Sequence, residues 1–258
     1  MWEHAGDTKL IQISRQWLDW ILPSRCLGCG DLTASAAFDA NCLPTLCADC
    51  FSELAPQLGV ACKSCGAPLG PWANSAGKCP HCRGRKFRFK SVTCLGMYDG
   101  LLRRLLVEGK WSRASHNLRT LAATFSAARG ETLRHLGVDS IVPIPQFWHR
   151  RLWRNFNPAM LVAAEVSKLL NSPVETRILC RSRHTPPQKR ASLAERTAIQ
   201  QGSFRIRDRH LITDKRLLLV DDVMTTGATC NEATRILLDA GAKECHVAVV
   251  ARVSATAS

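Results

Sequence analysis

From residue 91 onward, short apolar runs alternate with longer segments in which apolar residues recur at helical spacing. Short runs are typical of buried strands, and periodic segments of amphipathic helices. We predict strands near 92–98, 140–144, 174–179, 204–206, 216–220 and 245–251, and helices near 101–106, 114–136, 158–170 and 228–240. Gly241 suits the position after the last helix, where a left-handed conformation is common. The alternation predicts an α/β domain with a parallel sheet and flanking helices.

The run at 217–220 is the most informative of the predicted strands. It reads Leu-Leu-Leu-Val without polar alternation, which indicates a strand covered on both faces. An acidic pair follows, and then a loop of small residues opens the next helix: Asp221, Asp222, Thr225, Thr226, Gly227, Ala228 and Thr229. The free N–H groups at the start of a helix can bind a phosphate. Two carboxylates can bind the two hydroxyls of a sugar diol, directly or through hydrated Mg²⁺. Gly227, without a Cβ, would let the backbone approach such a ligand closely.

The region before residue 90 has a different character, since it holds most of the chain's 13 cysteines. Eight of them form four Cys-x-x-Cys pairs: Cys26/Cys29, Cys47/Cys50, Cys62/Cys65 and Cys79/Cys82. Two such pairs complete a tetrahedral structural zinc site, so four pairs predict two zinc ions. The pairs combine sequentially or interleaved, and spacing does not decide between the two. A redox Cys-x-x-Cys motif competes with zinc, but it normally occurs once, near a βαβ unit. Cys42 and His81 also carry side chains that bind zinc, but we expect both to be bystanders.

The composition and charge of the chain indicate its partners and its cellular location. The chain has 258 residues and a formal net charge of +14, which favours nucleic acids or phosphorylated ligands as partners. No apolar run is long enough for a membrane span, and charged residues interrupt the first 22 residues, unlike a signal peptide. We expect a cytoplasmic protein with an amphipathic helix at 1–22, a zinc-binding domain at 23–90 and an α/β domain at 91–258. Basic residues crowd 84–90, hereafter the connector, and a polar excursion spans 181–201.

The segment from 217 to Thr229 resembles the motif by which type I phosphoribosyltransferases bind phosphoribosyl pyrophosphate (PRPP). An N-terminal helix, a double zinc ribbon and a phosphoribosyltransferase-like domain, in that order, look like the ComF family, which includes the GntX-type proteins. Further residues match that family: Tyr98, Asp99, Gly100, Lys110, Val142, Pro143, Ile144, Pro145, Arg154, Phe156, Asn157, Arg181, Arg183, Thr185, Gln188, Arg196, Gly202, Ser203 and Phe204. The family's Arg-Gly-Phe-Asn-Gln element departs here at two positions, Asn155 and Pro158.

The resemblance implies a protein that binds PRPP or a related ribose-phosphate ligand with Mg²⁺ and transfers the phosphoribosyl group, releasing pyrophosphate. It implies that the acidic pair holds the ribose and serves catalysis, and that further residues bind the phosphates: Thr225, Thr226, Gly227, Ala228, Thr229, Arg154, Arg183 and Arg196. The alternative is a nucleic-acid-binding accessory protein of competence, which acts with single-stranded DNA and DNA-uptake proteins and uses the same fold without turnover. The basic excess favours this alternative. The excursion shows no signature for a nucleobase, so turnover and binding alone both remain open.

Overall fold

The computed structural model describes residues 25–32, 46–55, 60–69, 79, 82, 85–110, 115–146, 156–182 and 202–253. Their elements follow one another in this order: α1 (Ala48–Leu54), β1 (Val60–Ala61), β2 (Pro68–Leu69), β3 (Val92–Met97), α2 (Gly100–Gly109), α3 (Ser115–Arg134), β4 (Ser140–Pro143), α4 (Pro158–Leu170), β5 (Leu179–Arg181), β6 (Phe204–Ile206), β7 (Arg216–Met224), α5 (Ala228–Asp239) and β8 (Glu244–Arg252). The helix predicted at 1–22 lies outside the described residues.

The central sheet has four strands in the order β3-β8-β7-β4, and all neighbours are parallel. This confirms the predicted parallel sheet. Strand β7 is longer than predicted, because its pairing with β8 continues to Met224 opposite Arg252. On its other side, pairing with β4 ends at Pro143 opposite Val220. Among the described residues, the acidic pair therefore lies where β7 is paired with a strand on one side alone.

The middle of β7 is covered on both faces, as its sequence predicted. Leu218 and Val220 belong to an apolar cluster with residues of α2, α3 and α4, hereafter the first core. Leu217 and Leu219 belong to a second cluster with residues of α5, hereafter the second core. All four side chains are fully buried. Each contributes roughly 1.5–3 kcal/mol by burial, which anchors the strand that carries the acidic pair.

The strand predicted at 174–179 is wrong in its placement. Val174 makes one isolated bridge to Ile141, and the chain then bends before β5, which pairs with β6 in a separate antiparallel pair. The intervening Thr176 and Arg177 are exposed and offer no apolar side chain to bury, so the chain does not extend the sheet there. The β5–β6 pair instead forms the base of the polar excursion.

The helix ends follow local chemistry. The Asn157 side chain accepts the Ala159 N–H at 3.1 Å and so caps α4, and Pro158 is the first helical residue, where its missing N–H costs nothing. Pro158 is thus accounted for by helix initiation. Gly241 has φ +104 directly after the Ala240 cap of α5, as predicted. Among the described helices, none is both long and apolar enough to span a bilayer.

Candidate functional site

The eight paired cysteines form two clusters. Their ligand sulfurs lie within 4.8 Å of one another in each cluster, and the grouping is sequential. The first zinc cluster consists of Cys26, Cys29, Cys47 and Cys50, and the second of Cys62, Cys65, Cys79 and Cys82. The interleaved arrangement is excluded. Cys42 and His81 lie outside the described residues.

The sulfur geometry fits zinc. A tetrahedral ion with Zn–S bonds of about 2.3 Å places its sulfurs about 3.8 Å apart. The Sγ–Sγ distances are 3.9 Å for Cys29 and Cys47, and 3.7 Å for Cys65 and Cys79. With four thiol ligands in each cluster, a zinc ion would have no open position for substrate, so both clusters fit structural rather than catalytic zinc.

Backbone N–H groups support the first zinc cluster. The Gly28 and Cys47 N–H groups donate to the Cys26 sulfur at 3.3 and 3.2 Å. Burial raises the pKa of the Cys26 thiol, but these backbone hydrogen bonds outweigh it and lower the pKa to about 6. A thiolate is the form that binds a metal, so the backbone prepares this ligand for zinc.

The zinc clusters pack on different parts of the α/β domain. Beside the first, Arg104 of α2 donates to the Gly28 carbonyl, and the Glu53 carboxylate accepts the Leu101 N–H at 3.2 Å. Beside the second, the Val92 N–H donates to the Lys63 carbonyl at 2.9 Å. The ribbons are therefore attached to helix α2 and strand β3.

The acidic pair is linked to a lysine that the sequence did not single out as a site residue. Lys110, which caps the end of α2, places its Nζ 3.0 Å from Oδ2 of Asp222. The Asp221 carboxylate accepts the Asp222 N–H, and the Asp222 carboxylate accepts the Val223 N–H, both at 2.9 Å. The Lys110 and Asp222 side chains are only 22% and 17% exposed, so this ion pair lies largely out of water.

The environment shifts the pKa values of the two carboxylates in opposite directions. Burial and the adjacent Asp222 charge raise the pKa of Asp221 well above its ordinary value. Burial also raises the pKa of Asp222, but the charge and hydrogen bond of Lys110 outweigh it, so the pKa is lowered. Asp222 is therefore the ionised member of the pair, and Asp221 holds a proton more readily. Carboxylates with separated pKa values are typical of functional sites.

After β7 the chain turns into α5 through the small-residue loop predicted from the sequence, hereafter the 225–229 loop. Gly227 has φ +79 and precedes the first helical residue, and the Thr226 hydroxyl accepts the Ala228 N–H at 3.2 Å. A Cβ at Gly227 would lie 3.0 Å from the Phe87 ring. The glycine is thus required by its left-handed conformation and by the packing of Phe87 against it. Its role beside a ligand stays a prediction.

Two arginines fix the direction of this loop. The buried Arg252 donates to the carbonyls of Met224 and Thr225, and Arg85 donates to the carbonyl of Thr226 at 3.2 Å. All described peptide bonds are trans, so each N–H points opposite to the carbonyl of the preceding residue. The N–H groups of Thr225, Thr226 and Gly227 therefore point away from the arginines. Where successive N–H groups of a turn converge, they form a concavity for anions.

The excursion is anchored at its base. Glu232 of α5 accepts the Gly202 N–H at 2.9 Å and is bonded to the Arg235 guanidinium through both of its oxygens. The Arg181 guanidinium lies 5.3 Å from the centre of the Phe204 ring. The three arginines assigned to phosphates by resemblance, Arg154, Arg183 and Arg196, lie outside the described residues.

The structure adds residues that sequence reasoning did not assign to the site. Lys110 matched the family pattern, but nothing in its neighbourhood along the chain indicated a contact with Asp222. Arg252 is an arginine at the end of an apolar strand, and a charged residue in such a run is itself a signal of a buried polar role. Phe87 lies in the connector, which the sequence analysis described only by its basic residues.

Residues 17–83 match the double zinc ribbon domain family, and residues 158–258 match the phosphoribosyl transferase domain family. Together the two matches cover more than half of the chain. The chain therefore carries a phosphoribosyl transferase domain behind a Cys-rich double zinc ribbon, in agreement with the predicted fold class.

Individual proteins are similar over most of their length. The chain is 28% identical to competence protein F of Haemophilus influenzae over 211 residues, 80% of this chain and 90% of that protein. It is 28% identical to DNA utilization protein YhgH of Escherichia coli strain K12 over 190 residues, 72% of this chain and 81% of that protein. Among solved structures, the purine phosphoribosyltransferase from Pyrococcus horikoshii is 22% identical with a TM-score of 0.32, covering 49% of this chain and 70% of that chain.

Proposed function

Because the chain belongs to the ComF family, with its double zinc ribbon and phosphoribosyl transferase domain, we propose that it binds PRPP or a related ribose-phosphate ligand where β7 meets α5. The observation that carries the proposal is the orientation of the 225–229 loop. Three successive N–H groups face away from Arg85 and Arg252, and they precede the positive end of the α5 dipole. This arrangement supports a phosphate at the loop.

The acidic pair supports a ribose next to that phosphate. Asp222 is ionised and accepts hydrogen bonds, and Asp221 lies beside it on the same strand. Carboxyl oxygens accept hydrogen bonds from ribose hydroxyls. Lys110 balances the charge of Asp222 and adds a cation close to where an anionic ligand would lie.

The residues also fit Mg²⁺. Carboxylate oxygens are ligands that Mg²⁺ prefers, and Asp221 and Asp222 would hold the ion from the protein side. No third acidic or imidazole ligand joins them among the described residues, so most remaining ligands would be water and phosphate oxygens. When bound, the ion would neutralise pyrophosphate as it leaves.

The reaction this site supports is phosphoribosyl transfer. The bond between C1 of the ribose and the pyrophosphate oxygen breaks, its electron pair leaves with pyrophosphate, and the acceptor forms the new bond to C1. The N–H groups of the 225–229 loop would hold the 5′-phosphate, and the ionised Asp222 would stabilise positive charge that develops on the ribose. Arg154, Arg183 and Arg196 keep their proposed role of binding the phosphates.

Isothermal titration of the zinc-loaded chain with PRPP and Mg²⁺ tests the proposal. Asp222→Asn keeps the shape of the side chain and removes its charge, so we expect binding to weaken at least tenfold. Lys168→Met, a change at an exposed pair on α4, is the matched control and should bind as the wild type does. Absence of PRPP binding by the wild type would overturn the proposal.

The names of the relatives and the basic charge favour a second function. Competence protein F and DNA utilization protein YhgH are similar to this chain over most of their lengths, and the net charge is +14. We propose that the protein serves in the cytoplasm as an accessory to DNA uptake that contacts single-stranded DNA through its phosphates. Affinity for an oligonucleotide should then fall steeply as salt increases. Affinity that does not change with salt would contradict this role.

A further inference from the structure

The connector joins the second zinc cluster to the 225–229 loop within a few residues. The Arg85 N–H donates to the carbonyl of Cys82 at 2.9 Å, and the Arg85 guanidinium donates to the carbonyl of Thr226 at 3.2 Å. One residue thus contacts a zinc ligand with its backbone and the loop with its side chain.

Phe87 makes the second contact. Its ring lies 3.0 Å from the position that a Cβ of Gly227 would take. It stacks on Phe89 with 4.7 Å between ring centres, and Phe89 is buried in the second core together with cysteines of the second zinc cluster. The surface against which Gly227 rests is therefore built on that cluster.

The backbone makes the third contact. The Arg88 N–H donates to the Asn231 side chain of α5 at 2.7 Å. Asn231 lies on the first turn of the helix, where its own N–H bonds the Gly227 carbonyl at 2.8 Å. These three contacts, from Arg85, Phe87 and Arg88, fix the orientation of the last loop residues and of the first helical turn.

Regular structure is sparse in the described part of the segment that carries the second cluster. Its two strands contain two residues each, β1 and β2. Small zinc-binding segments obtain their folding free energy from the metal, because they lack a sufficient core. Loss of zinc would release Cys82 and, with it, the anchor of Arg85 and the backing of Phe87.

We propose that zinc in the second cluster holds the 225–229 loop in its ligand-binding conformation through the connector, with Arg85 and Phe87 as positioning residues. This inference rests on the proposed ribose-phosphate site and adds a control of its affinity. If releasing the connector leaves the loop competent in about one-tenth of the molecules, the apparent Kd rises about tenfold.

The test uses the full zinc-loaded chain and its Phe87→Ala variant. We expect Phe87→Ala to keep two zinc ions by metal analysis and to bind PRPP with Mg²⁺ about tenfold more weakly. Hydrogen exchange in peptides that cover 225–231 should become faster, although no ligand is present. Lys86→Ala changes an exposed neighbour and should match the wild type in both measurements.

A second perturbation acts on the metal itself. Cys65→Ser removes a ligand of the second cluster and should increase exchange at 225–231, as Phe87→Ala does. Unchanged exchange in either variant would overturn the inference. PRPP affinity of Phe87→Ala within twofold of wild type would overturn it as well. If the wild type binds no PRPP, the proposed function fails, and the exchange measurement still decides whether the cluster controls the loop.

Discussion

Replacing Lys110 by Met removes the cation that faces Asp222 and leaves a carboxylate largely out of water. The Nζ–Oδ2 distance is 3.0 Å. With an effective dielectric constant of about 20, the Coulomb attraction at this distance is roughly 5.5 kcal/mol. Desolvation of both groups offsets part of it. Breaking a buried pair costs about 3–5 kcal/mol, and because both side chains keep some exposure, we expect a loss of about 2–3 kcal/mol in the free energy of unfolding.

This loss should depend on pH. Lys110 lowers the pKa of Asp222 below its ordinary value of 3.8, so the stabilisation is present above that value and is lost as pH falls through the lower folded pKa. Without Lys110, burial would raise the pKa of Asp222 with less to oppose it. The penalty of the variant would then be complete at pH 8 and would be relieved towards pH 4 as Asp222 takes up a proton.

Urea unfolding at pH 8, 6 and 4 measures the free energy of unfolding of each variant. Lys168→Met makes the same substitution in the exposed pair with Glu165, whose Nζ–Oε1 distance is 2.8 Å. Exposed helical pairs contribute about 0.3–0.5 kcal/mol, so this control should lose little at any pH. Equal losses for Lys110→Met and Lys168→Met, or a loss at Lys110 that stays constant from pH 8 to pH 4, would refute the reasoning.

Three further predictions concern the zinc clusters and the loop. Metal analysis should find two zinc ions per chain, and Cys65→Ser should retain one; two in the variant would contradict the ligand assignment. In Gly227→Ala, the added Cβ is strained by the left-handed φ and also meets the Phe87 ring. In Gly30→Ala, the φ is left-handed too, but the Cβ would enter open space. We expect about 1–2 kcal/mol of destabilisation at Gly30 and a larger loss at Gly227 in thermal unfolding; equal losses would discount the packing of Phe87. Asp221→Asn should raise Tm at pH 8, because a raised pKa penalises the charged folded form above that pKa, and the gain should vanish near pH 4; a lower Tm at pH 8 would contradict it.

The sequence predicted the fold well where local patterns decide it. The bounds of α4 were predicted residue for residue, since Asn157, Pro158 and the apolar spacing act within one helix. The end of β7 was predicted four residues early, because an acidic pair normally marks the end of a buried strand. Its continuation depends on pairing with β8 up to Arg252, and such pairing has no signal within the segment itself.

The site was predictable only in its local part. The acidic pair and the small-residue loop lie next to one another in the chain, so their spacing carried the interpretation. Lys110 reaches Asp222, and Phe87 reaches Gly227, across more than a hundred residues. Contacts of this kind depend on how α2 and the connector pack on the sheet. A local sequence pattern does not predict such packing. The sequential zinc grouping was open for the same reason.

The zinc ribbons therefore bear on the site from two sides. The first cluster is attached to the first half of α2 through Gly28 and Glu53, and the same helix, about 15 Å long, ends at Lys110 beside the acidic pair. The second cluster reaches Gly227 through the connector. A helix transmits position stiffly, so disturbing the first cluster should act on the charge balance of Asp222, whereas disturbing the second acts on the N–H groups of the 225–229 loop. The two zinc ions would then be separable in effect, one visible in the pH dependence of stability and the other in ligand affinity.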